Sequence, residues 1–100
     1  MSLAADVVTK IIDAVDARID EQIAVTADLV RIPSTRYHEA PAQDFMARLY
    51  RDQQLAVDRW QIHLDDIRHL PGYSPTQQDY ADAWNVVGAW RPTNAQGRSV

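Results

Sequence analysis

ADAWNVVGAWRPTNAQGRSV, residues 81–100, is the stretch on which the fold turns. Trp84 to Trp90 is a mostly apolar run, Pro92 to Gly97 has the composition of a turn, and Arg98-Ser99-Val100 reads as the start of another strand. The centre of the Trp84–Trp90 run is apolar at successive positions, the pattern of a strand covered on both faces. The expectation is an α/β chain whose sheet continues past Val100, as the opening segment of a larger enzyme. On that reading the groups that do chemistry lie beyond Val100, and these residues supply scaffold.

Working outward from this run, Asp65 to Asp82 is polar and interrupted by Pro71-Gly72 and Pro75, which reads as an irregular loop. Before it, Val57 to Leu64 alternates, with Trp60, Ile62 and Leu64 set against Gln61 and His63, and predicts a strand. Pro41 suits the first turn of a helix, where its missing N–H would be unpaired anyway. Phe45, Met46, Leu49 and Tyr50 then share one face, with Asp44 and Arg48 spaced to pair beside them, and the helix fades near Gln54. Further back, Val8, Ile12, Val15, Ile19, Ile23, Ala27 and Val30 form a single stripe at helical spacing. Asp13, Asp16, Asp20, Glu21 and Asp28 fall mainly off the stripe. Ser2 can cap this helix, Asp6 and Lys10 can pair along it, and Pro33 stops it. At ~1.5 Å per residue such a rod would be about 40 Å long, a length suited to an outer helix on a larger body.

The expected order is helix 4–32, helix 41–54, strand 57–64, loop 65–82, strand 83–91, turn 92–97 and a strand start at 98–100. A sheet of so few strands cannot cover itself, so it must continue in further sequence or in another molecule. There is no internal repeat and no low-complexity tract.

Bulk composition narrows the partners. A net charge of −4 and the absence of a Lys/Arg-rich run argue against nucleic acid, whose phosphates need a basic face. No apolar segment approaches the roughly 20 residues that span a bilayer. Asp6, Asp13 and Asp16 interrupt any signal-peptide core, and no polybasic anchor is present. The sequence contains no cysteine, which removes disulfides, thiol nucleophiles and cysteine–zinc sites and agrees with a reducing cytoplasm. Met1-Ser2-Leu3 reads equally as native sequence or as an expression remnant.

Three clusters invite a chemical reading. HLDDIRH, His63 to His69, offers two imidazoles and two carboxylates, which suit a borderline cation such as zinc. Its spacing matches neither one helix face nor one strand face, and with Arg59 and Arg68 nearby the plainer reading is a solvated loop of mixed charge. STRYHEA, Ser34 to Ala40, could hold a nucleophilic Ser34 with His38 as base and Glu39 as orienter. Directly after a helix-stopping proline, an exit loop in which Ser34 or Thr35 closes a turn explains the same residues, and no Gly-rich oxyanion turn accompanies them. Trp60, Trp84 and Trp90 could form a stacking platform, though at strand spacing core and edge packing accounts for them. Gly88 stands alone, without the partners of a phosphate loop.

Four stretches taken in order carry a resemblance: LVRIPSTRYHE at 29–39, AQDFMARLYRDQQLAVDRW at 42–60, NVVGAWR at 85–91 and GRSV at 97–100. Together, over roughly residues 7 to 100, they resemble the start of the dinuclear zinc metallopeptidase and deacylase family. That family includes acetylornithine deacetylase, succinyl-diaminopimelate desuccinylase, aminoacylase and glutamate-releasing carboxypeptidases. Members begin with a long helix ending in an I-P-S turn, followed by a Glu (here Glu39), an amphipathic helix, a first strand and an N-V-V/I strand. Members often carry a glycine where the second helix hands over to the first strand, and here that place holds Gln53-Gln54-Leu55. The loop at 65–82 is longer than in the shortest members, nearer the desuccinylase and acetylornithine deacetylase side.

The resemblance implies a zinc-peptidase-like catalytic domain, with a mixed sheet flanked by helices on both faces, of which residues 1–100 would be the N-terminal segment. It implies a cytoplasmic, homodimeric parent that hydrolyses an N-acyl amino acid or a short peptide amide bond. In such relatives a pair of zinc ions, or cobalt in their place, lowers the pKa of a bridging water, and a glutamate accepts its proton before attack on the carbonyl. The family's H-x-D metal motif should fall after the N-V-V strand. His63-Leu64-Asp65 has the bare spacing but precedes that strand, so no catalytic or metal residue of the family is carried onto this chain, substrate-binding residues are left unassigned, and the segment is expected to bind no zinc itself and to be inactive alone. A non-enzymatic interaction module, whose helix and strands complete a partner, is the rival expectation.

Overall fold

In the computed structural model, which describes residues 3–76 and 80–97, the chain falls into two units, Met1–Ile32 and Pro33–Val100. The first unit holds helices α1 (Ala5–Asp16) and α2 (Ile19–Arg31). The second holds α3 (Ala40–Asp52), strand β1 (Ala56–Gln61), a short helix α4 (Leu64–Ile67) and strand β2 (Trp84–Ala89). Among the described residues these four helices and one two-stranded antiparallel sheet are the regular structure.

The helix expected over 4–32 is broken at Ala17-Arg18. The Arg18 N–H reaches only three residues back, to the Val15 carbonyl at 3.0 Å, and Arg18 leaves the helical region at φ −111° and ψ 7°. Neither Pro nor Gly causes this. The charges supply a reason: Asp13 and Asp16 lie near the C-terminal end of α1, where the helix dipole disfavours acids, while Asp20 and Glu21 become first-turn acids of α2, where it favours them. The Ser2 cap lies outside the described residues. Ala4 holds the N-cap position of α1 with no side-chain hydrogen bond, and only Asp6 complements the dipole there. Asp6 and Lys10 form no ion pair, whereas Asp28 and Arg31 do. Thr9 and Thr26 donate their hydroxyls to the carbonyls four residues back, Ala5 and Gln22.

The apolar positions expected to form one stripe are divided between the two helices, and they are exposed or half-buried. No residue of α1 or α2 is buried, and Ile12, Val15 and Ile23 keep 53%, 54% and 60% of their surface.

In the second unit α3 packs on the hairpin. Pro41 sits in its first turn, and Ala47, the buried apolar residue of the described chain, faces inward at 1% exposure. The helix ends in a Schellman turn: the Leu55 N–H reaches the Tyr50 carbonyl and the Gln54 N–H the Arg51 carbonyl, both at 2.9 Å. That turn requires a left-handed residue just past the helix, and Gln54 supplies it at φ 61°. Gln54 occupies the hand-over where the resemblance leads one to look for glycine.

Pairing of Ala56 with Ala89 through Gln61 with Trp84 sets two faces. Val57, Arg59, Gln61, Trp84, Val86 and Gly88 share the face toward α3; Ala56, Asp58, Trp60, Asn85, Val87 and Ala89 share the other. The first strand is shorter than the expected 57–64, because Ile62 and His63 leave the ladder and Leu64 begins α4. Its inward set is also not the expected Trp60 series. The inner face is the one that accepts the Tyr50 ring over Gly88: a Cβ on Gly88 would come within 2.8 Å of Tyr50 Cγ and 2.9 Å of Leu55 Cδ1. The second strand covers 84–89 of the expected 83–91.

The segment expected as irregular loop 65–82 opens with α4. His63 is its extended N-cap residue, and Asp65 and Asp66 sit in its first turn, where acids are favoured. Leu64 and Ile67, one helical turn apart, are half-buried. Pro71-Gly72 then forms a tight turn, with the Tyr73 N–H on the Leu70 carbonyl at 3.2 Å and Gly72 at φ 83°, as a type II turn demands of its third residue. Within the expected turn 92–97, Asn94 is left-handed at φ 59°. The strand start expected at 98–100 lies outside the described residues.

Candidate functional site

The His63–His69 cluster is built on α4. A side chain at the N-cap and one two residues on diverge around a helix, so His63 and Asp65 do not converge on a common point. Asp65 instead forms an ion pair with Arg68, Nε to Oδ1 3.4 Å, with both side chains largely in water. His69 lies beyond the helix and is exposed. Among the described residues no group of three His, Asp or Glu side chains comes together in a way that could hold a metal ion. The imidazoles and carboxylates described here are thus not gathered into a zinc site.

The Ser34–Glu39 segment is a turn. The His38 N–H donates to the Thr35 carbonyl at 2.8 Å, and Tyr37, third in that turn, is left-handed at φ 74°. The Glu39 carboxylate accepts the Tyr37 N–H at 3.0 Å, so it braces the backbone of the loop and does not orient the imidazole. Ser34 and His38 share no hydrogen bond, and the Arg36 guanidinium carbon lies 5.9 Å from the Tyr37 ring centre. These residues make a hydrogen-bonded turn, and Ser34 has no hydrogen bond through which His38 could activate it.

The tryptophans are separated by the sheet. Trp84 faces α3, Trp60 faces the opposite side at 44% exposure, and Trp90 follows β2 at 72% exposure. Trp60 and Trp84 therefore cannot line one stacking platform.

A cluster that sequence reasoning missed joins α3 to the sheet. Asp44, expected to pair with Arg48 along its own helix, pairs instead with Arg59 of β1. The Arg59 guanidinium carbon also stacks 4.8 Å from the Trp84 ring centre, its diagonal neighbour on the inner face. Such a cation–π contact is worth about 0.5–1 kcal/mol where partly exposed. The signal lay in an arginine placed at an inward strand position, which needs a carboxylate from the covering element. Beside it, the Gln61 amide donates to the Ala81 carbonyl and ties the strand end to the returning loop.

Comparison with protein-family models, with curated proteins and with solved structures returns no match. Among the described residues, no helix is long and apolar enough to cross a membrane.

Proposed function

We propose that residues 1–100 are the N-terminal part of the catalytic domain of a zinc-dependent amidohydrolase, resembling acetylornithine deacetylase and the desuccinylases. The observation that carries this reading is the face of the hairpin opposite α3. It presents Trp60 and Val87 at 44% and 49% exposure, apolar surface that suits a second helical layer of a larger α/β body. The left-handed Gln54 adds support, because relatives often place glycine at that hand-over and glycine adopts this conformation without strain. The order of the IPS turn, amphipathic helix, first strand and NVV strand is the remaining ground.

On this reading the parent is a cytoplasmic homodimer that cleaves an N-acyl amino acid or a short peptide at its amide bond, using two zinc or cobalt ions. The ligands, the base and the lid are supplied by the remainder of the chain. The present residues contribute sheet order and an outer helical layer, which position the strand ends on which such ligands sit.

The decisive test is the coding sequence downstream of Val100. An apolar strand running into Gly-His-x-Asp is the expected result; a stop codon, or a continuation with no such motif, overturns the proposal. Titration of the 100-residue chain with zinc should give no stoichiometric complex. Stoichiometric, submicromolar binding to this chain alone would also sink the reading.

A second reading is favoured by one observation, the exposed stripe through Ile12, Val15, Ile19 and Ile23. In it the chain is a non-enzymatic module whose helices and strand edges complete a partner, and the stop codon is then the expected result.

A further inference from the structure

We draw no further inference here: the strongest candidate, the exposed apolar stripe of α1 and α2 through Ile12, Val15, Ile19 and Ile23, carries no proposal because nothing in the structure shows what covers it.

Discussion

Two amphipathic helical regions of this chain meet different fates. The apolar face of α3 is laid on β1 and β2 and buries Ala47, while α1 and α2 carry a longer stripe of Val and Ile and bury no residue. Helical periodicity thus forecasts that a face exists, not that this stretch of chain covers it. What distinguishes α3 is a fitted seat: Gly88 leaves room for Tyr50 and Leu55, and Arg59 reaches Asp44 across the helix–sheet boundary.

The sharpest way to break this contrast is to fill the seat. Gly88→Ala places a methyl group less than 3 Å from the Tyr50 ring and the Leu55 methyl. It should cost the second unit about 1–3 kcal/mol, read by urea unfolding of the chain. Recovery of most of that loss in Gly88→Ala/Tyr50→Leu would attribute it to crowding, whereas a wild-type midpoint for Gly88→Ala would show that α3 does not sit as described.

Removing the cross-boundary arginine should have the next largest effect. Arg59→Ala leaves Asp44 and Trp84 without their shared partner and should destabilise by about 1 kcal/mol, from a cation–π contact and a partly exposed ion pair. Part of that loss should vanish in high salt, and Arg59→Lys should recover only the charge component, since lysine lacks the flat surface that stacks on Trp84. Insensitivity to both changes would remove Arg59 from the interface.

A gain is expected at the Schellman turn. Gln54→Gly relieves a left-handed side-chain residue and should stabilise the second unit by up to about 1 kcal/mol. Gln54→Val, which tolerates positive φ worse, should move the midpoint the other way.

The smallest effect belongs to the uncovered helices. Ile19→Ala, at a position 45% exposed, should change the stability of the 100-residue chain by less than about 0.5 kcal/mol. In a longer chain that covers the stripe, the same substitution should cost about 2–4 kcal/mol. Equal, small effects in both would show that the stripe stays in water, against the larger α/β body proposed above.

Much of the local structure was legible in the residues. Pro41 opened α3, the Pro71-Gly72 pair set its turn, and the NVV run formed a strand, because each depends on backbone preferences of neighbouring residues. The plainer reading of Ser34 to Ala40, an exit loop with Thr35 closing a turn, matches the His38 N–H on the Thr35 carbonyl. The detail that escaped it is Glu39, whose carboxylate accepts the Tyr37 N–H of the left-handed turn residue. The spacing of His63 and His69 already set them on no common face; what it did not register is the helix α4 between them, which Asp65 and Asp66 favour at its N-terminal end.

The sequence by itself determined that this chain makes amphipathic helices and two strands, for those follow from short-range periodicity, proline and turn chemistry. Only the tertiary structure decided that the two strands pair antiparallel, which face of that pair turned inward and which carboxylate Arg59 chose. These choices depend on contacts between residues far apart in the chain. The break at Ala17-Arg18 is local: it reflects the helix dipole acting on acids that a stripe of apolar positions does not register.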